Sequence, residues 1–395
     1  MRKVDLLIID YKIEGFKRYA VDLCRQLRNI NNDIVIAGCY IESSDKTELE
    51  GFDFVFCAQD YNLDPRIIFQ KFEVKSIMTF AHRIFDYMFT FEAHKKRMIV
   101  FNFQHALYQS NTTISSLSSE NLIMLIKKKQ EQVKHYLKCL YHIADGKANI
   151  LCKMIYDLLR HQSIYHVINK YVGKDCNADV SFVFGEYWKT FYKCQYFENC
   201  SEFEIVGYPE LEGDTVKVEK NLFQHSNLPI LCYLAQTSVE DGVLDEKEML
   251  SFLDKLVEIL SNYNLIIKFH PRSNKSLYDK LLNQEFKGAV IEWDQNGFPL
   301  ADGYIGHDST VIGRAMYITD KVLVSRLRED RISPFEQYGN YVCTTEMNVL
   351  EEINKMMKNE LSDISTNLAG YMYKNENGAI NQTAKKIISI IYKGD

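Results

Sequence analysis

The sequence lacks a long apolar run. No stretch of its 395 residues reaches the roughly 18 uninterrupted apolar residues that a membrane-spanning helix needs. We also expect no signal peptide, because the N-terminal residues MRKVDLLIIDYKIEG turn polar within a few positions. We therefore expect a soluble, cytoplasmic protein that touches a membrane, if at all, only at its inner surface.

Cysteine pairs and an excess of basic charge are missing as well. The ten cysteines are scattered through apolar segments without a CxxC pair, which is typical of buried free thiols in a reducing compartment. The formal net charge of −6 and the pI near 6.0 argue against broad electrostatic capture of nucleic acid. We expect no nucleic-acid partner, and any anion must be bound by a local basic pocket.

Short apolar runs alternate with helix-like segments in the first half of the chain. The runs occupy 4–10, 33–41, 52–58, 74–81 and 97–105. Strands flanked by helices at this spacing predict βαβ units and a parallel sheet. The length and the 46% hydrophobic content are sufficient for two compact domains with full cores.

A long helical pattern follows at 118–172, and we interpret it as an insertion in the N-terminal domain. Its KKK run at 127–129 is typical of a solvated helix face, with contact to anionic acceptor or lipid headgroups as the alternative. Strand-like alternation returns at 179–188 and 203–211. The polar, poorly patterned segment near 212–227 then predicts a domain boundary.

The second half repeats the strand–helix rhythm. Its predicted strands are in 228–238, 264–271, 289–294, 301–310 and 321–325. We therefore predict an α/β protein with an N-terminal domain at 1–212 and a C-terminal domain at 228–395. Two Rossmann-like domains facing a central cleft, as in the glycosyltransferase B fold, would bind a ligand at the carboxyl ends of the strands.

Three groups of reactive side chains directly follow predicted strands of the second half. They are Glu240-Asp241-Gly242, the KFHPR stretch at 268–272 and the GHDST stretch at 306–310. Because the carboxyl ends of parallel strands lie at one edge of a sheet, residues far apart in sequence can share a site there.

The acidic group has two interpretations. A carboxylate at a loop-to-helix junction, such as Asp241, stays partly solvated and can act as a general base, while Gly242 lets the backbone turn tightly beside it. The alternative is a helix cap, with Asp241 or Asp245 accepting hydrogen bonds from backbone N–H groups.

The His-Pro group also has two interpretations. Pro271 directs the chain so that the His270 imidazole points out of the strand end, and Lys268 and Arg272 flank it with positive charge suited to a phosphate. An isolated His-Pro pair also occurs in ordinary turns.

The hydroxyl pair Ser309 and Thr310 lies where a helix should begin. Its side chains either cap that helix or, with the helix N-terminal amides, bind a phosphate.

Taken together, the strings QTSVEDGVLDEKE, IIKFHPR and GHDST resemble bacterial sialyltransferases of glycosyltransferase family 52 and the related capsule polysialyltransferases. The resemblance covers roughly residues 228–325. It implies an inverting transfer of sialic acid from CMP-sialic acid to a hydroxyl of a cell-surface glycan, of lipooligosaccharide or capsule type. His-Pro and Ser/Thr motifs also occur in glycerophosphate polymerases of teichoic acid synthesis, so a CDP-glycerol or UDP-sugar transferase is the alternative.

The resemblance assigns roles to the motif residues. Asp241 would be the general base for the acceptor hydroxyl, supported by Glu240, and His270 would contact the donor phosphate and assist its departure. Ser309 and Thr310 would hold that phosphate. CMP is a good leaving group, so no cofactor or metal is expected, and the sequence has no Asp-x-Asp metal motif.

The N-terminal half should supply the acceptor side. Gln104 and His105 end a predicted strand and lead into a polar loop, although a structural histidine is the alternative for His105. A binding protein that keeps the fold without turnover is the other class of function. Peripheral membrane contact through the C-terminal KKIISIIYKGD, against a last helix packed into the core, and a homodimer both stay open.

Overall fold

The computed structural model of the chain describes residues 1–42, 49–80, 82–105, 107, 133–160, 163–196, 202–283, 286, 288–339, 341–359 and 368–393. The chain divides into two compact units. The first comprises Met1–Ala106, Leu117–Pro209 and Ala369–Asp395, and the second comprises Leu107–Ser116 and Glu210–Leu368.

The first unit is built on a seven-stranded sheet in the order β3-β2-β1-β4-β5-β6-β7. Its strands are β1 (Arg2–Lys12), β2 (Ile36–Glu42), β3 (Phe54–Cys57), β4 (Phe72–Thr79), β5 (Ile99–Phe103), β6 (Val180–Val183) and β7 (Glu202–Ile205). All neighbouring pairs are parallel. Apolar side chains bury both faces of β1, which explains why the sequence shows a continuous apolar run there.

Helices accompany this sheet. They are α1 (Ala20–Ile30), α2 (Pro65–Lys71), α3 (Ile84–Lys95), α4 (133–143), α5 (Ala148–Leu159), α6 (Ile164–Tyr171), α7 (Glu186–Gln195), α12 (Leu368–Tyr371) and α13 (Ala379–Ile391), the last two returning from the end of the chain. Helix α13 packs against α1. The buried indole of Trp188 donates to the carbonyl of Tyr371 at 2.6 Å and so anchors the returning segment.

The second unit contains a six-stranded parallel sheet in the order β11-β10-β9-β13-β14-β15. Its strands are β9 (Ile230–Leu234), β10 (Asn264–Lys268), β11 (Val290–Glu292), β13 (Gly303–Gly306), β14 (Val322–Ser325) and β15 (Tyr341–Cys343). Its helices are α8 (Glu246–Ile259), α9 (Asp279–Leu282), α10 (Thr310–Met316) and α11 (Val349–Met357). A separate parallel pair joins β8 (Thr215–Lys217) to β12 (Phe298–Leu300).

The predicted fold class, parallel α/β in two Rossmann-like units, is confirmed. The segment Ala369–Asp395 belongs to the first unit, whereas the division based on sequence grouped it with the second half. Periodicity shows that α13 has an apolar face but not which sheet that face covers. Of the predicted insertion, 118–132 and 161–162 lie outside the described residues, and the described part is helical at α4, α5 and α6. Among the described residues, no helix is long and apolar enough to cross a membrane.

Candidate active site

Strands β10, β9 and β13 are consecutive in the sheet of the second unit. The loops that follow them carry the acidic, His-Pro and Ser/Thr groups. Because the strands are parallel, these loops emerge at one edge of the sheet. The structure thus places the three groups at neighbouring strand ends.

The loop after β9 forms a compact turn. The backbone N–H of Asp241 donates to the carbonyl of Thr237 at 2.8 Å, and that of Gly242 donates to the carbonyl of Val239 at 3.0 Å. Gly242 has a φ of +68°, in the left-handed region that favours glycine. The turn therefore explains the glycine and holds Asp241 at the surface.

Asp245, and not Asp241, caps helix α8. Its carboxylate accepts a hydrogen bond from the backbone N–H of Lys247 at 2.8 Å, and Glu248 completes a capping box by accepting from the N–H of Asp245 at 3.2 Å. Asp241, the other carboxylate considered for this cap, therefore makes different contacts.

Asp241 forms a bidentate ion pair with Arg272. The two guanidinium nitrogens Nη1 and Nη2 donate to Oδ1 and Oδ2 at 2.7 and 3.1 Å, and the hydroxyl of Thr237 donates to Oδ2 at 2.7 Å. These hydrogen bonds, that from Arg272 first, lower the pKa of Asp241. The carboxylate is therefore ionised at neutral pH and is a weak base while Arg272 holds it.

Glu240 joins the same two loops. Its carboxylate accepts a hydrogen bond from the backbone N–H of Asn274, in the turn that follows the His-Pro pair. Glu240 and Asp241 thus bind the loop after β10 through two adjacent contacts. Glu240 therefore positions the loop that carries His270.

His270 has a defined tautomer. Its Nδ1 accepts a hydrogen bond from the backbone N–H of Arg272 at 3.1 Å, so the neutral ring carries its proton on Nε2. Partial burial, and then the charge of Arg272, lower the pKa of His270. The ring therefore offers a neutral N–H donor near physiological pH, and the exposed Pro271 completes the turn around it.

Lys268 is the last residue of β10 and is half-buried. Burial lowers the pKa of its ammonium group, and the charge of Arg314 acts in the same direction. A partly desolvated ammonium gains more than an exposed one from an incoming anion.

His307 is a structural residue. Its ring is buried, with Nδ1 2.7 Å from the carbonyl oxygen of Ser325 and Nε2 2.9 Å from the hydroxyl of Tyr233. Burial lowers the pKa of His307 to about 4, so the ring is neutral in the folded protein.

Ser309 caps α10, since its hydroxyl accepts from the backbone N–H of Val311 at 3.4 Å, and Thr310 is the first residue of that helix. The capping interpretation is thus what the contacts show for Ser309. Asp308 beside it is bound by Arg331 at 2.6 Å.

The arginine-rich loop after β14 was not among the predicted site residues. Arg328 pairs with Asp330 at 2.9 Å and its Nη1 donates to the carbonyl of Val243 at 3.5 Å, which connects it to the loop of Asp241. Arg331 contacts the GHDST loop through Asp308. The sequence did contain an indication of this loop, because RLREDR at 326–331 directly follows the strand predicted at 321–325.

Gln104 and His105, the two acceptor-binding candidates of the first unit, have different surroundings. Gln104 is fully buried, and its side-chain oxygen accepts from the backbone N–H of Phe184 at 2.9 Å, which joins β5 to the end of β6. His105 packs edge-on against Tyr19, with ring centroids 6.4 Å apart. Gln104 therefore has a structural contact that a strand-end pattern alone did not reveal. In the described part of the chain, no cluster of three or more His, Cys, Asp or Glu is placed to hold a metal ion.

No protein-family model matches the sequence, and no curated protein matches it significantly. Solved structures do match in fold. A candidate UDP-N-acetylglucosamine 2-epimerase from Listeria monocytogenes is 12% identical, with a TM-score of 0.50 over 100% of this chain and 98% of that one. The wall teichoic acid polymerase TagF, soaked with CDPG, is 9% identical, with a TM-score of 0.51 over 98% of this chain and 89% of that one.

These similarities extend over nearly the whole chain and define its class by fold. The protein has the glycosyltransferase B fold, as the sequence predicted. At identities this low the likeness concerns the fold, and activity has to be argued from the site.

Proposed function

We propose that this protein is an inverting, metal-independent glycosyltransferase that moves sialic acid from CMP-sialic acid to a hydroxyl of a cell-surface glycan. The observation that carries the proposal is the contact between Asp241 and Arg272, with His270 beside them at the strand ends. A carboxylate, a guanidinium and an imidazole N–H are the groups that acid–base and phosphate chemistry need. The fold supports the class, since TagF, described as a wall teichoic acid polymerase, was solved after a soak with CDPG.

The donor phosphate is held by the His-Pro loop. The Nε2–H of His270 donates to a phosphate oxygen, and Arg272 and Lys268 supply positive charge. The backbone N–H of Arg272 donates to Nδ1 of His270 and that of Asn274 donates to the carboxylate of Glu240, and these contacts position the loop before the donor arrives. The hydroxyl of Ser309 accepts a hydrogen bond from the N–H of Val311 and could reach the phosphate only as a neutral O–H donor, so we expect the contribution of Ser309 and Thr310 to be the smaller one.

Binding of the donor activates the base. A phosphate that takes Arg272 from Asp241 removes the hydrogen bonds from Arg272, the largest cause that lowers the pKa of Asp241, and the carboxylate becomes a stronger base. Asp241 then accepts the proton of the acceptor hydroxyl as its oxygen attacks the anomeric carbon. The bond from that carbon to the phosphate oxygen breaks, CMP leaves with the electron pair, and the configuration inverts.

The test is release of CMP from CMP-sialic acid in the presence of a galactose-terminated acceptor. We expect acceptor-dependent CMP release and formation of a sialylated product, without added metal. Calorimetry with CMP, CDP and UDP should show a preference for CMP. A strong preference for UDP, or turnover of CDP-glycerol alone, would contradict the sialyl donor, and nucleotide binding without any transfer would indicate a binding protein.

A further inference from the structure

The first unit contains a cavity of about 270 Å³. It lies just below the usual size range of pockets for drug-sized ligands, so it has room for a single small ring. Most of its walls are apolar or aromatic, and those that matter here are Ile41, Phe85 and Tyr136. Three further polar side chains, Tyr11, Arg83 and His135, also line it.

The cavity lies at the switch point of the sheet. Tyr11 and Ile41 are close to the carboxyl ends of β1 and β2, and Arg83 follows β4. The strand order reverses between β1 and β4, because β2 and β3 lie on one side of β1 and the later strands on the other. Ligands of open parallel sheets bind at this position.

The charge of Arg83 is already balanced. Its guanidinium donates to the buried carboxylates of Asp10 at 2.7 Å and Asp86 at 2.8 Å. The hydroxyl of Tyr11 donates to a third carboxylate, that of Glu42, at 2.7 Å. An anionic ligand in the cavity would therefore compete with two buried carboxylates for the guanidinium of Arg83, which disfavours a ligand of negative charge.

Hydrogen-bond donors for a neutral ligand remain. A guanidinium has five N–H groups, and the bonds from the Arg83 side chain to Asp10 and Asp86 use three of them. The Arg83 side chain is 32% exposed, so its outer edge is accessible. Lys138, on the helix that covers the cavity, is not a lining residue, and its ammonium donates to the carbonyl of Asn62.

We propose that this cavity binds an uncharged, hydroxyl-bearing sugar ring, with Tyr136 and Phe85 against its apolar face and Arg83 at its hydroxyls. The identification of this sugar as the acceptor of the transfer reaction rests on the proposed function, whereas its binding to the cavity does not. The cavity then favours transfer to a neutral terminal sugar and disfavours extension of a chain that already ends in a carboxylate-bearing sugar.

The experiment uses the full chain without nucleotide. Saturation-transfer NMR titrations compare methyl β-galactoside, methyl glucoside and methyl mannoside with the C6 carboxylate counterpart of each. The matched variants are Tyr136→Ala and Tyr141→Ala, because both tyrosines lie on α4 with 47% and 45% of their surface exposed and only Tyr136 lines the cavity.

We expect at least one neutral glycoside to bind and its carboxylate counterpart to bind at least about tenfold more weakly. Tyr136→Ala should weaken binding about fivefold, the usual worth of one aromatic contact, and Tyr141→Ala should leave it unchanged. Equal or tighter binding of the carboxylates, equal effects of the two variants, or no binding by any neutral glycoside would overturn the proposal. Neutral-sugar binding without CMP release would instead count against the donor chemistry alone.

Discussion

Arg272 binds both carboxylate oxygens of Asp241, although the two residues are 31 positions apart and follow different strands. The contact joins Asp241, which we propose as the base, to Arg272, which we propose as part of the phosphate site. In the absence of donor each neutralises the other. The proposed mechanism therefore predicts that the donor binds first and displaces Arg272 from Asp241.

Replacement of Asp241 separates base chemistry from donor binding. We expect Asp241→Asn to lower kcat by on the order of 10²–10⁴, the usual contribution of a general base, with CMP affinity retained or increased because Arg272 is released. Steady-state kinetics and CMP titration measure the two effects. Near-normal turnover, or loss of CMP binding in a folded variant, would remove Asp241 from the role of base.

His270→Ala should affect the donor. Loss of the Nε2–H donor to a charged phosphate removes about 1.5–3 kcal/mol, so CMP binding should weaken by roughly 10- to 100-fold, and turnover should fall as well. Ser309→Ala is the comparison variant and should show a milder loss, because its hydroxyl already caps α10. If His270→Ala binds CMP like the wild type, the His-Pro loop is a turn and not a phosphate site.

Asp245→Ala provides a matched control for Asp241, since both carboxylates lie in the connection between β9 and α8. We expect a loss of about 1 kcal/mol in stability, the usual effect of removing an N-cap, with kcat unchanged. Asp245→Ser should retain the cap and the stability. Thermal unfolding and CMP-release kinetics on the three proteins would show whether folding and catalysis divide between these neighbouring acids as the contacts indicate.

His307 should make stability depend on pH. Its pKa is lowered to about 4 in the folded protein from an ordinary value of 6.5, so between these values the unfolded chain binds more protons. The free energy of unfolding should therefore decrease as pH falls from about 6.5 to about 4, by on the order of 2–3 kcal/mol. Above pH 6.5, His307 should add no pH dependence. Urea unfolding at several pH values should show a shallower dependence for His307→Gln, and identical slopes would contradict the shift.

The strands were predictable because parallel strands buried on both faces appear as short apolar runs. The sequence therefore located β9, β10 and β13 and the polar groups that follow them. It placed a strand-like pattern over 179–188, whereas helix α7 begins at Glu186. The short strand β15 was not predicted, since three residues such as Tyr341–Cys343 are too few to show a period. Helix α11 was not predicted either.

Sequence alone determined the α/β class, the succession of strands and helices, and which strand ends carry acidic, imidazole and hydroxyl groups, because all of these are properties of local order. The tertiary structure determined which side chains contact each other. It assigned the α8 cap to Asp245, paired Asp241 with Arg272, buried Gln104 and His307, and placed Arg83 between two carboxylates beside a cavity. These contacts depend on which strands are neighbours in a sheet, and neighbour order arises from long-range packing that no local period encodes.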